Sequence, residues 1–181
     1  MSIKSLMNYT FVSKYARWDE NKERRETWGE SVDRVRKMMI DKYADEGGAE
    51  VVKYIDQAYG DMKKKKILGS QRALQFGGSP VFKHNARIYN CIASYIDRTR
   101  FFQECMYLLL CGCGTGFSVQ KHHIAKLPNL IKGKNGQKKF IIKDSIEGWS
   151  DAVGVLVSSY FKGDNLFPEY NGKTIIFDYS A

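Results

Sequence analysis

Thiols are the side chains in this sequence with the most direct chemical potential, and all four lie within one short stretch: Cys91, Cys105, Cys111 and Cys113. Secreted disulfide scaffolds usually spread their cysteines across the fold, so this grouping indicates reduced thiols. Cys91 closes the segment RIYNC, just after a glycine-rich stretch, where a thiol can be partly exposed and reactive. A reactive thiol and a small buried hydrophobic residue are both open interpretations of Cys91.

A second candidate is the segment CGCGTGFS at 111–118, which contains three glycines. Glycines let a backbone approach a ligand closely and present its N–H groups. The segment lacks the GxxxxGK[ST] phosphate-loop pattern and the third glycine of the dinucleotide motif GxGxxG. A ligand-binding loop and a tight helix-to-strand corner therefore stay equally open.

Metal binding is the third possibility, because the three later cysteines stand near His122 and His123 in the sequence. Zinc sites usually pair their ligands through CxxC spacing, which is absent here, and Cys105 lies in an apolar segment that favours a helix. We predict no metal site and expect both histidines to lie at the surface or in an anion-friendly loop.

The elements that position these residues start with helices. Thr27 and Glu30 have the spacing of a capping box, and the apolar positions that follow predict a helix over 28–43 that ends at Gly47-Gly48. A second helix is predicted over about 49–59. The glycine-rich segment 67–90 lacks sustained periodicity, so we expect loops there that form the wall of a site.

Beyond Cys91 the pattern changes. Apolar spacing predicts a mostly buried helix over 94–110, and the run at 140–142 predicts a strand after a turn at 132–138. Asp144 is expected to cap a helix with an apolar stripe of Trp149, Val153, Leu156, Val157 and Tyr160. The segment KTIIFDYS predicts a final strand. The fold class is α/β or α+β, with helix in excess.

Length and composition set the class of protein. With 181 residues, 43% of them hydrophobic, the chain can bury an ordinary core. It has no apolar run of roughly 18 residues, and its first residues turn polar too early for a secretory signal, so we expect a cytoplasmic protein without membrane contact. The formal charge of +9 suits an anionic partner, either nucleic acid, a nucleotide or an acidic protein surface.

Nucleic acid is one such partner, because lysines cluster at 63–66 and 132–139, with Tyr54 and Tyr59 near the first cluster for stacking. The sequence has no recognisable nucleic-acid-binding signature, however, and the lysine clusters are better interpreted as solvated turns.

Five segments in this order, ILGSQRALQFGG, RIYNC, MYLLLCGCGTGFSV, KLP and DSIEGWSDAV, resemble the N-terminal part of class II, adenosylcobalamin-dependent ribonucleoside-triphosphate reductases, especially the monomeric type. The resemblance covers about residues 24–180. It implies an α/β fold in which a helical N-terminal region, 1–66, precedes the first strands and helices of a ten-stranded barrel, 67–181, with an effector-region segment.

The resemblance also implies roles for individual residues. Cys91 matches the redox cysteine that, with a second cysteine later in the family's chain, reduces the ribose and closes to a disulfide. Removal of a 2′-hydroxyl requires two reducing equivalents, which a dithiol supplies. The matching substrate-site residues are Ser70, Arg72, Gly114, Thr115, Gly116, Phe117 and Ser118. Asp97 and Arg98 fall where the wider superfamily binds the dNTP effector.

The remaining family features lie downstream of this sequence. They are the thiyl-radical cysteine, the second redox cysteine, the adenosylcobalamin contacts and the cysteine pair re-reduced by a thioredoxin-type protein. We therefore expect this chain to be inactive alone and to assemble with the missing C-terminal part, supplied by a second polypeptide. An incomplete barrel leaves open strand edges, which favour such pairing.

Two alternatives to this interpretation are kept. A dimeric class II enzyme or another reductase class could share these segments, with a di- or triphosphate substrate. A non-enzymatic basic nucleic-acid-binding module would instead show affinity that falls steeply with salt and no special reactivity at Cys91.

Overall fold

The first half of the chain consists mainly of helices, and the second half contains two pairs of parallel strands with helices between them. The computed structural model describes residues 2–131, 133 and 135–181. The chain divides into two compact units, the first ending at Ile88 and the second beginning at Tyr89. The predicted boundary between a helical region and a barrel portion at 66/67 stays a prediction. Part of the predicted turn at 132–138 and of the lysine cluster at 132–139 lies outside the described residues.

The first unit consists of four helices and a minimal antiparallel hairpin. Its elements are α1 (Ile3–Lys14), β1 (Trp18–Asp19), β2 (Arg24–Arg25), α2 (Trp28–Lys63), α3 (Gln71–Phe76), α4 (Ser79–Lys83) and a 3-10 turn (Asn85–Ile88). Among the described helices, none combines the length and the apolar run that a bilayer crossing needs.

Helix α2 begins where the sequence predicts. Thr27 Oγ1 accepts a hydrogen bond from Glu30 N at 3.3 Å, and Glu30 Oε2 accepts one from Thr27 N at 2.7 Å, so the capping box is confirmed. The break at Gly48 is also confirmed, because this residue has φ 61° and ψ −159° inside the helix. The helix resumes at once and continues to Lys63, beyond the predicted end at 59.

The two halves of α2 fold back along each other. Trp28 Nε1 donates to the Lys63 carbonyl at 3.1 Å, and Arg36 Nη2 pairs with Asp56 at 2.6 Å, although each pair is far apart in sequence. The two halves of α2 contribute to the first unit's core of Val32, Val35, Met38, Met62 and Leu74. Burial of this apolar surface is the main stabilising contribution to the unit.

The expectation of loops over 67–90 is wrong. Most of this segment forms α3, α4 and the 3-10 turn, each too short to show a sustained apolar period in the sequence. Tertiary packing stabilises them: Leu74 is completely buried against α2, and Arg34 donates to the Leu74 and Gly77 carbonyls at the end of α3 at 2.6 and 2.8 Å.

A nearly buried ion pair joins α2 to the segment before it. Arg34 Nε lies 2.7 Å from Glu26 Oε1, and the two side chains are 18% and 12% exposed. Burial raises the pKa of Glu26, but hydrogen bonds from Arg34 and Ser31 outweigh it and hold the pKa below its ordinary value. The ionised form of Glu26 therefore stabilises the folded state.

The second unit contains two β-α-β units with parallel strands. The first consists of β3 (Cys91–Tyr95), α5 (Arg100–Leu110) and β4 (Gly114–Ser118), and the second of β5 (Gln137–Ile141), α7 (Ile146–Ser158) and β6 (Thr174–Asp178). Between them lies the short α6 (Lys121–Ile124), and a 3-10 turn (Pro168–Tyr170) precedes β6. The predicted strands near 140 and 175 are confirmed.

Two predicted boundaries in this unit are wrong. Ser94 lies in β3 instead of starting a helix, and α5 begins only at Arg100. The apolar residues of a short strand and of the following helix run together in the sequence, which hides the boundary. Helix α7 is capped by Ser145, whose Oγ accepts from Gly148 N at 3.0 Å, and not by Asp144.

Helices α5 and α7 pack closely against each other. A Cβ placed on Gly154 would lie 2.7 Å from the Phe167 ring and 3.4 Å from Gln103 Cβ, so a larger side chain would not fit there. The buried residues of α7 are small, with Ala152 and Val155 at 5% and 0% exposure. The predicted stripe is therefore wrong, since Trp149, Leu156 and Tyr160 are 38–46% exposed.

A buried carboxylate ties this helix pair together. Asp164 is 5% exposed and accepts hydrogen bonds from Thr99 Oγ1 at 2.5 Å, from Ser158 Oγ and from Leu166 N at 3.3 Å. Thr99 immediately precedes α5 and Ser158 ends α7. Because buried hydroxyl groups need partners, Asp164 fixes the start of one helix to the end of the other.

We expect Asp164→Asn to lower the free energy of unfolding by about 1–3 kcal/mol, because the amide cannot accept all three hydrogen bonds. Urea unfolding followed by circular dichroism measures the change. Asp144→Asn, at an exposed position, is the matched control and should change stability by less than about 0.5 kcal/mol. Equal effects of the two substitutions would contradict this role of Asp164.

We expect Glu26→Gln to destabilise the chain by about 1–2 kcal/mol at pH 7, because it weakens the pair with Arg34. A lowered folded-state pKa stabilises the fold above the unfolded-state value of about 4.3, and this contribution is lost as the pH falls through the folded-state pKa. The stability difference between the two proteins should therefore shrink below about pH 4. Urea unfolding at several pH values tests this, with the exposed Glu50→Gln as control.

Candidate functional site

The candidate site is built on the parallel pairing of β3 with β4. Their register sets Cys91 beside Gly114 and Tyr95 beside Ser118. Side chains alternate between the two faces of a strand, so Cys91, Gly114, Gly116 and Ser118 share one face of this sheet. We call it the thiol face.

Cys91 is exposed, and its surroundings on the thiol face are nearly bare. A Cβ built on Gly114 would lie 3.6 Å from Cys91 Sγ, and one on Gly116 would meet nothing within 4 Å. The two glycines therefore form a flat floor of main chain beside the thiol. A ring or a ribose can approach such a floor closely, while the thiol stays accessible.

Helix α5 covers the opposite face. Cys105 Sγ lies 3.3 Å from Thr115 Oγ1, and the rings of Phe101 and Phe117 meet edge to face at 5.2 Å. The segment 114–118 is thus a strand and not a loop, and Thr115 and Phe117 point away from Cys91. A cavity of about 390 Å³, whose lining includes Cys105 and Thr115, also lies on the α5 side.

A histidine stands at the far end of the thiol face. His123 Nδ1 lies 3.0 Å from Ser118 Oγ, and its ring is 4.6 Å from that of Tyr95. Burial first, then the positive potential of His122 and Lys126, lowers the pKa of His123, so the neutral imidazole predominates at neutral pH. A neutral imidazole can donate or accept a hydrogen bond according to its tautomer.

Charged residues follow the carboxyl end of β3. Arg98 Nη1 pairs with Asp97 Oδ1 at 2.7 Å and its other terminal nitrogen with Glu104. The hydrogen bond from Arg98 lowers the pKa of Asp97. The sequence placed both residues at the start of the helix, but in the structure both precede α5. Ligands of α/β proteins commonly bind at the carboxyl ends of parallel strands, and the effector-binding role of the two residues stays a prediction.

The other two predicted substrate residues belong to the first unit. Ser70 is the exposed residue immediately before α3. Arg72 lies in the first turn of that helix, with its guanidinium 5.4 Å from the centre of the Phe76 ring. Both roles stay predictions.

The remaining cysteines are less accessible than Cys91. Cys111 and Cys113 are 0% and 4% exposed, and Cys113 Sγ donates to the Tyr89 carbonyl at 3.4 Å. Cys105, on α5, is half-buried between that helix and β4. Within the described part of the chain, no three side chains of His, Cys, Asp or Glu are grouped as ligands for a metal ion.

Sequence reasoning missed Tyr95 and gave His123 no role on this face. The alternation Cys91-x-Ala93-x-Tyr95 would have identified Tyr95, had the strand been recognised. His123 reaches the face only through the turn into α6, which no local pattern indicates.

No protein-family model and no curated protein sequence matches this chain. Among solved structures, a crystal structure of a B12-dependent (class II) ribonucleotide reductase matches 94% of this chain, with a TM-score of 0.79 and 21% sequence identity. This chain has a fold similar to part of a class II ribonucleotide reductase. It spans 32% of the reductase chain in that structure.

The likeness to the reductase supports the mixed α/β fold predicted from the ordered motifs. At 21% identity it concerns the fold alone, and it assigns no role to Cys91 or to any other residue. The chemistry has to be argued from the thiol face itself.

We expect Cys91 to react faster than the other thiols with a disulfide reagent such as dithiobisnitrobenzoate, because thiolate reactivity requires access. The native chain should release about one equivalent quickly, and Cys91→Ser should abolish that phase. Cys105→Ser, which alters the half-buried thiol, should leave it intact. A fast phase that survives in Cys91→Ser would show that another thiol is the accessible one.

Proposed function

We propose that this chain is the N-terminal part of an adenosylcobalamin-dependent ribonucleoside-triphosphate reductase of the monomeric type, with Cys91 as one of its two reducing thiols. The observation that carries the proposal is the exposed Cys91 thiol beside the bare floor of Gly114 and Gly116, in a fold similar to part of a class II reductase. The ordered sequence motifs support it independently of the fold.

The proposed chemistry balances with a dithiol. Replacement of the 2′-hydroxyl of the ribose by hydrogen releases water and consumes two electrons and two protons. Two thiols supply both and become a disulfide, which a thioredoxin-type reductant must then reduce. In the intact enzyme Cys91 would face the ribose, and its partner cysteine would come from the C-terminal part.

The other predicted ligands follow from the same assignment. Gly114, Gly116 and Ser118 would lie under the substrate on the thiol face, with Thr115 and Phe117 holding that strand against α5. Ser70 and Arg72, in the first unit, are the other two substrate-binding residues that the resemblance implies. Asp97 and Arg98 would bind a dNTP effector, which their position after a parallel strand permits.

The strand pairs support a larger barrel. Parallel sheets are usually covered on both faces, whereas β3 and β4 are covered by α5 on one face and carry an exposed thiol on the other. We propose that strands of the C-terminal part complete a ten-stranded barrel around the thiol face. Adenosylcobalamin supplies the initiating radical when bound, and we assign its contacts to that part and not to this chain.

The decisive experiment combines this chain with the C-terminal two-thirds of a class II reductase and measures adenosylcobalamin-dependent formation of deoxynucleotide from ribonucleoside triphosphates. We expect activity with the wild-type chain and background with Cys91→Ser, because one thiol alone cannot close the disulfide. Cys105→Ser, on the covered face, is the control and should retain activity.

Two results would contradict the proposal: an assembled pair that makes no deoxynucleotide, or full activity with Cys91→Ser. A comparison of ribonucleoside di- and triphosphates in the same assay identifies the substrate level. Size-exclusion chromatography of the assembled pair distinguishes the monomeric from the dimeric type.

A further inference from the structure

The first unit contains a cluster of arginines at the turn between α3 and α4, around Gly77 and Gly78. Arg17 Nε donates to the Gln75 carbonyl at 3.1 Å, and Arg34 Nη1 donates to the Gly77 carbonyl at 2.8 Å. The guanidinium of Arg87 lies 5.2 Å from the centre of the adjacent Phe76 ring. Three positive side chains therefore converge on one short turn.

The charge of this cluster is not balanced by the residues around it. Arg34 binds both carboxylate oxygens of Glu26, at 2.7 and 2.8 Å. Neither Arg17 nor Arg87 forms a salt bridge with any residue in the described ranges. Burial is the largest cause that lowers the pKa of Arg17, and the positive charges of Arg34 and Arg87 lower it further, against the raising effect of Glu26. One carboxylate against three guanidinium groups leaves an excess of two positive charges.

Two donor atoms of the cluster are buried without a partner among the described residues. They are Arg17 Nη2 and Arg87 Nε. Contacts with Glu26 and with the carbonyls at the end of α3 explain every nitrogen of Arg34 and the Nε of Arg17. They do not explain these two. Buried N–H donors in folded proteins nearly always have an acceptor, so an acceptor from outside the chain is indicated.

The turn leaves room beside Arg17. Gly78 has φ 93°, and a Cβ built on it would meet Arg17 Nη1 at 3.8 Å and no other atom within 4 Å. The space next to this guanidinium is therefore free of other atoms on the Gly78 side. A small ligand at this position could contact Arg17 without displacing a side chain.

We infer that the arginine cluster of Arg17, Arg34 and Arg87 is a binding site for a phosphate group. Guanidinium forks match the oxygens of phosphate, and the excess of two charges suits a dianionic phosphate better than a monoanionic carboxylate. Arg17 and Arg87 donate to the phosphate oxygens, while Arg34 is held by Glu26 and contributes its charge. The inference does not rest on the proposed reductase function, since any phosphorylated ligand would fit.

Phosphorus NMR of inorganic phosphate titrated with the whole chain tests this site, at constant ionic strength to remove the general effect of the +9 charge. We expect saturable binding that weakens roughly tenfold or more in Arg17→Met and in Arg87→Met. Arg36→Met removes the same charge from the surface of α2, where Arg36 pairs with Asp56, and should bind phosphate as the wild type does. Acetate should not compete.

The inference is overturned if phosphate fails to bind, or if all three variants bind it equally. Circular dichroism checks that each variant is folded, and Arg87→Met carries the test if Arg17→Met unfolds, because Arg87 does not support the α3 carbonyls. A nucleoside triphosphate that binds at least about tenfold tighter than phosphate, with loss in the same variants, identifies nucleotide phosphates as the source. Equal affinities identify free phosphate.

Discussion

Parallel pairing between β3 and β4 is the constraint on which the candidate site depends. Two parallel strands that follow each other in sequence require a crossover, and here α5 supplies it. The crossover helix has to cover one face of the pair, which leaves Cys91 on the other. The same register places glycines beside Cys91, so the strand pairing both exposes the thiol and clears the surface around it.

The crossover helix is itself held by the second β-α-β unit. Small residues on α7, above all Gly154, let it approach α5, and Asp164 bonds to residues at the start of α5 and the end of α7. A carboxylate with three hydrogen-bond donors is tolerated in a core where an unpartnered one would not be. The position of the thiol face thus depends on packing far from Cys91 in sequence.

Local signals were predictable from the sequence, and tertiary ones were not. The capping box at Thr27 and the break at Gly48 need only neighbouring residues, and both are confirmed. The predicted start of α5 was wrong, since the helix begins only at Arg100. The predicted apolar stripe of α7 was also wrong, because α7 buries small residues while Trp149 and Leu156 are exposed. Of the site, the structure shows that Cys91 is exposed and lies beside Gly114, while its redox role stays a prediction. The division of 114–118 between two faces required the strand register.

The placement of the four cysteines also limits where a reducing partner for Cys91 can come from. A disulfide requires α-carbons closer than about 7 Å and side chains directed toward each other. Cys105 belongs to α5 and contacts Thr115 on the opposite face of the sheet. Cys111 and Cys113 are buried, with the Cys113 thiol directed to the Tyr89 carbonyl. Cys105 and Cys113 thus contact other groups, and Cys91 is the exposed thiol among the four. In the proposed assembly, the second cysteine of the dithiol would instead come from the C-terminal part, on the exposed side of Cys91.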